Sequence, residues 1–339
     1  MVGITMVTAL TAKTVKNDNT VQINKSKFFF SITINIFMTN FKYFLKYTTI
    51  MSENNFPDYI TFPRTFEKYR WYKPILVLII GTIVFLALQA LLLVIFSAAY
   101  GSDSINALLL QGYESLNSEV GSYIGYLSVA IFLPSLYVAT KIVRDRPFSS
   151  YSSSRGGWNW KLFFKSLTIP LAVYLIFEIM NTLIHGQKGP NTLTLTFFVI
   201  CLIIVPLQCI GEEYIMRGLV MQTFGSWFKI PVLAIVLQSI VFTSLHPYSI
   251  LGVIGVFMQG ICLGFLTWRS NGLEAACALH SVNNLISAYF VALGFEVSSS
   301  VITPYDFAST IIVSVISTLA LYYVGTKKGW FEEKTEKLW

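Results

Sequence analysis

Charge is what this sequence has least of. Only 12% of its 339 residues are Asp, Glu, Lys or Arg, against 54% hydrophobic residues, and the mean hydropathy is +0.62. That balance excludes the soluble globular class and leaves an integral membrane protein. Cysteine is scarce too. Cys201, Cys209, Cys262 and Cys277 all lie in apolar stretches without a C-x-x-C neighbour, which excludes a disulfide framework and a sulfur-ligated zinc site and leaves small buried hydrophobes. No P-loop, G-x-G-x-x-G or Ser-His-Asp pattern is present. There are three histidines in all, at 185, 246 and 280.

What is there instead is a series of apolar runs. Charge-free stretches at 75–99, 121–140, 192–211, 248–267 and 307–326, with near-apolar ones at 166–184, 230–246 and 274–293, predict an all-α, polytopic bundle of about eight transmembrane helices. Lysine and arginine placement orients it. Arg64, Lys68, Arg70 and Lys73 precede the first span, whereas the next loop, near 101–120, holds Asp103, Glu114 and Glu119 and no base, so the amino end is expected in the cytoplasm. Every even crossing then returns to a basic segment, at 141–165, Lys229, Arg269 and Lys327–Lys337, which puts the carboxyl end there as well. The net charge of +7 is thus a topology signal of a protein in the cell membrane, and no nucleic-acid partner is needed to explain it.

The organisation follows. Residues 1–73 form a polar and basic lead-in, 74–326 the eight-helix domain and 327–339 a cytoplasmic tail. The first fifty residues stand apart, with six lysines against Asp18 alone, a net +5. Met51, followed by Ser-Glu-Asn-Asn, has the look of an ordinary start, so 1–50 is expected not to belong to the native product. The loop 141–161, with its Tyr151-Ser-Ser-Ser-Arg155-Gly-Gly run, is expected to be a flexible connection. Gly260 and Gly264 are expected to let helices pack closely, Asn271–Gly272 to make a turn, and His185 to be incidental in an external loop. Glu178, with Asn181 on the same face, is expected to hydrogen-bond to a neighbouring helix in protonated form.

The anomaly is at the end of the fourth run, where Glu212, Glu213 and Arg217 follow an uninterrupted apolar stretch. Ionisable groups at membrane depth cost at least a few kcal/mol, so a functional site is the default hypothesis. Glu213 and Arg217 are four apart and pair on one helix face, while Glu212 is turned about 100° away. His246 closes the fifth run. His280 and Asn284 stand one turn apart inside the seventh. A shared wet pocket would supply the partners that each of these groups needs against desolvation. An acid to take a proton from water, imidazoles and oxyanion donors make up the machinery of amide hydrolysis. Glu212, His246 and His280 are equally a zinc ligand set with an open position, so zinc and a metal-free glutamate mechanism fit the same side chains.

One geometric condition attaches to that pocket. Straight, fully crossing helices would leave His246 and Glu212 on opposite sides of about 30 Å of hydrocarbon. A shared site therefore requires the 231–246 segment to stop at mid-membrane, or span four to run on as a long tilted helix through 223.

In order on successive helices, Glu212-Glu213-x-x-x-Arg217, Phe242-x-x-x-His246 and His280-x-x-x-Asn284 resemble the three motifs of the CPBP (Abi) intramembrane proteases. These include CAAX prenyl endopeptidases and bacterial proteins linked to bacteriocin processing, self-immunity and lysostaphin resistance. The resemblance covers 190–295 closely and the eight-span layout loosely. It implies an intramembrane endopeptidase whose site opens to the cytosol, acting on a peptide or lipidated-peptide substrate. By position, Glu212 would be the general base with His246 sharing its water, His280 and Asn284 would hold the oxyanion, and Glu213 and Arg217 would organise the site. Two other readings stay open: a non-catalytic immunity or binding protein of the same fold, and a proton or ion path in a transporter. The latter would be favoured by inverted repeats, and none is visible.

Overall fold

The computed structural model describes residues 56–333, and the expectation for 1–50 lies outside them. Among the described residues the chain is helices and turns, with one isolated bridge between Ser153 and Gly272. Seven helices among the described residues are long and apolar enough to cross a bilayer, and an eighth is shorter. They are α1 (Lys73–Tyr100), the pair α3 (Glu119–Ala130) and α4 (Phe132–Val143) acting as one crossing, α5 (Trp160–His185), α6 (Leu195–Glu213) with its continuation, α8 (Ile250–Ser270), α9 (Glu274–Ala292) and α10 (Pro304–Lys327). The short one is α7 (Pro231–Ser244), and α2 (Ser102–Gln111) lies in the first loop.

Both ways of meeting the geometric condition are realised. Past Glu213 the chain passes without a break into a π-helical stretch, Tyr214–Met221, and a last segment of α-helix, Gln222–Phe228, of about two turns. The crossing from Leu195 to Phe228 is 34 residues, about 50 Å at 1.5 Å per residue, and Glu212 falls near its middle. α7, at 14 residues, reaches only about 21 Å, so its end and His246 lie at depth.

α9 is the centre of the bundle, packed against α5, α6 and α8. Its small residues Ala275, Ala276, Cys277 and Ala278 are fully buried, which lets neighbouring backbones approach. α1 is apolar on every face and leans on α4, leaving Ile83, Leu86 and Val94 for lipid. α7 and α8 pack through glycine: a Cβ on Gly260 would stand 2.9 Å from Ser239 Oγ and 3.2 Å from its Cα. Asn271, in the left-handed region at φ 55°, ends α8 in the expected turn. His185 is the last residue of α5, its ring edge-on to Tyr305 at 4.8 Å.

The 141–161 loop is not the flexible connection its composition suggests. Arg146, Ser150, Tyr151, Ser152, Ser153 and Arg155 are all buried. Arg155 pairs with Glu274 at 2.6 Å, and Arg146 lies over the Tyr151 ring at 3.6 Å while donating to Gln222 at 2.5 Å. Tyr59 donates to the Tyr151 carbonyl, and Gln222 donates to the Tyr59 carbonyl at 2.9 Å. Burial pushes the Tyr59 and Tyr151 phenols well up, so both stay neutral donors. Glycine and serine, which read as flexible linker in sequence, here let a chain segment pass between helix ends.

Candidate active site

Helical phase sends the two adjacent acids of α6 in different directions. Glu213 points into the protein and is fully buried; its Oε1 accepts from Arg217 at 2.9 Å and sits 2.8 Å from His280 Nδ1. Glu212, about 100° around the helix, faces a cavity with its side chain 12% exposed. Its Oε2 stands 3.4 Å from His280 Nε2. One imidazole therefore bridges the two carboxylates, and the bond to Glu213 fixes which nitrogen meets Glu212.

Asn284, one turn along α9 from His280, places Nδ2 3.4 Å from His280 Nε2 and donates to Gln208 Oε1 at 2.9 Å. Asn283 donates to the Asn284 oxygen at 2.8 Å. Gln208 is the residue that motif reading missed. It lies one turn before Glu212 on the same face of α6, and that i, i+4 relation to a membrane-depth acid was the signal available in the sequence.

His246 enters from the turn after α7. Its Nδ1 is 2.8 Å from the Phe242 carbonyl, and its ring is edge-on to Phe242 at 4.7 Å and stacked near Tyr248 at 6.1 Å. Phe242 does more than keep spacing in a motif. Its ring carries the Arg217 guanidinium at 4.6 Å and stands 6.3 Å from the His280 ring, so one aromatic joins all three motif helices. Arg217 also reaches the Gly260 carbonyl at 3.4 Å, an acceptor it shares with Gln238 at 2.9 Å.

Glu212, His246, His280, Asn284 and Gln208 line one cavity of about 810 Å³. It extends from these residues to the loops at 112–116, 188 and 296–303, and Glu178, Asn181 and Glu296 are also in its wall. Glu178 faces the cavity and hydrogen-bonds to Asn181 on its own helix and to Glu296 in the loop after α9. Among the described residues no three His, Cys, Asp or Glu side chains stand as a metal-binding group. One nitrogen of each ring is engaged, His280 Nδ1 by Glu213 and His246 Nδ1 by its own helix end.

Residues 194–286, which carry all three motifs, match the family described as type II CAAX prenyl endopeptidase, Rce1-like. The motif core is similar to that of the CAAX protease family. The chain is also similar to "Uncharacterized protein YyaK" of Bacillus subtilis (strain 168), 25% identical over 181 residues, 49% of this chain. The chain spans 60% of that relative's length. No solved structure matches it.

Proposed function

We propose that the protein is an intramembrane endopeptidase in which Glu212 activates water. The observation that carries this reading is the convergence of Glu212, His280, Asn284 and His246 on a single cavity inside the bundle. Glu213 is fully buried with its Oε1 held by Arg217 and His280, so Glu212 is the acid of the pair left to meet a substrate.

In the proposed reaction Glu212 takes a proton from water as the oxygen adds to the scissile carbonyl carbon. His246 donates Nδ1–H to the Phe242 carbonyl, which leaves its Nε2 lone pair to accept the water's other hydrogen. The oxyanion that forms is met by Asn284 Nδ2–H and by the Nε2–H of His280 in its protonated form. Collapse breaks the C–N bond, and Glu212 returns its proton to the leaving nitrogen. The products are a new carboxyl terminus and a new amino terminus. Arg217, Glu213 and Gln208 touch no reacting atom in this scheme and act as positioning residues. The substrate is a peptide or lipidated peptide within reach of the membrane, and the amino and carboxyl ends of the chain lie in the cytoplasm.

The test is cleavage of a peptide library by detergent-purified protein. Glu212→Gln keeps the side-chain shape and removes the base, and is expected to reduce turnover by at least about a hundredfold. His280→Ala is expected to do the same. Undiminished cleavage in both variants would remove the assignment.

A further inference from the structure

The cavity reaches only one end of the bundle, and the basic residues lie at the other. Its outer wall includes Ser115, Lys188, Val297, Ser299, Val301 and Tyr305, from the loops 101–118, 186–194 and 293–303 and the start of α10. Of the sixteen lysines and arginines between residues 56 and 333, Lys188 alone belongs to these loops, and Arg217 is tied to Glu213. The other fourteen flank the opposite helix ends. That end is also closed, packed by Tyr59, Tyr151, Arg146 with Gln222, and the Arg155–Glu274 pair. Short loops rich in lysine and arginine stay in the cytoplasm, and every mouth loop is far shorter than the roughly 60 residues over which the rule holds.

We propose that the chamber opens to the extracytoplasmic side and that its substrate is a polypeptide presented there. The substrate half of this inference rests on the peptidase reading above; the side of opening does not. Access is thus opposite to the cytosolic opening that the family resemblance implies, and a prenylated cytosolic tail would face the sealed end. Glu212 is 17 residues along α6 from Leu195, at most about 26 Å from the mouth at 1.5 Å per residue. An extended chain advances about 3.3 Å per residue, so roughly eight unfolded residues are needed to reach it. A flexible terminus or a juxtamembrane stretch meets that need, and a folded domain does not. The same chemistry is offered by free exported peptides and by outer segments of membrane-anchored proteins.

Single cysteines test the side. The four native cysteines are buried, so background labelling by a membrane-impermeant thiol reagent is low. Val301→Cys at the mouth and Gln259→Cys in the chamber wall are expected to react in intact cells, and Lys328→Cys only in inverted vesicles. Reaction of Val301→Cys or Gln259→Cys in inverted vesicles alone would overturn the proposal. A peptide library is then offered to right-side-out and inverted vesicles carrying either the native chain or Glu212→Gln. Glu212-dependent cleavage at least tenfold greater in right-side-out vesicles is expected. The reverse ratio overturns the substrate side and spares the peptidase reading. Cleavage in neither, with the expected labelling, overturns the peptidase reading and spares the orientation. Presenting the same peptides free or on a lipid anchor in the outer leaflet distinguishes the two sources.

Discussion

His280 and Glu213, 67 positions apart on α9 and α6, are joined at 2.8 Å through the same carboxylate oxygen that accepts from Arg217. The contact ties the orientation of the imidazole that faces Glu212 to a charge pair with no access to substrate. Glu213 is thus tied into the bundle, and of the adjacent pair Glu212 is the one that lines the cavity.

Breaking that pair should be costly. Glu213→Gln leaves Arg217 buried without its counter-charge, and removing one partner of a buried ion pair costs about 3 to 5 kcal/mol. The expected outcome is a lowered melting temperature in detergent. Arg217→Lys, which keeps charge but loses the planar contact with Phe242, should lie between it and the native protein. A native-like melting temperature for Glu213→Gln would show that the pair is not holding the helices.

Gln208 should act on rate more than on binding. It fixes Asn284 by accepting from Nδ2 at 2.9 Å, so Gln208→Ala is expected to lower kcat about tenfold with little change in KM. Gln208→Glu, which keeps the acceptor oxygen, should recover most of the loss. Equal loss in both variants, or an effect confined to KM, would assign Gln208 to packing or substrate binding.

Gly260 is a test of close helix packing that also bears on the site. A Cβ there meets Ser239 Oγ at 2.9 Å and Ser239 Cα at 3.2 Å, and its carbonyl accepts from Gln238 and Arg217. Gly260→Ala should destabilise by about 1 to 3 kcal/mol through overpacking. Adding Ser239→Gly should restore part of it, measured by thermal unfolding of single and double variants.

Stability should also respond to pH through the cavity mouth. In the loop after α9, burial and the neighbouring Glu178 push the Glu296 carboxyl up to about 8 from 4.5, although Ser287 donates to it at 3.0 Å. The folded chain therefore holds a proton that the unfolded chain releases. The contribution is fully present below 4.5 and is lost as pH rises through about 8. Between about pH 5 and 9 the native melting temperature should fall more steeply than that of Glu296→Gln. Parallel profiles would show that Glu296 ionises normally.

The sequence by itself determined the class, the number of apolar segments and the ingredients of the site. Segment count follows from composition, because each run must shield its own backbone polar groups in lipid and can do so only as helix. The i, i+4 pairs Glu213–Arg217 and His280–Asn284 were legible for a related reason: helical phase is local, even though the first pair spans a π-helical stretch. Only the tertiary structure decided that Glu212 and His246 share a depth. That depends on α6 running past the acids and α7 stopping short, and neither length is marked by a change in hydropathy. Tertiary packing also assigned the two adjacent acids opposite surroundings and placed Gln208 beside Asn284. It buried a serine- and glycine-rich loop as the seal of one end as well. These are relations between chain segments far apart in number, and no local pattern of residues encodes them.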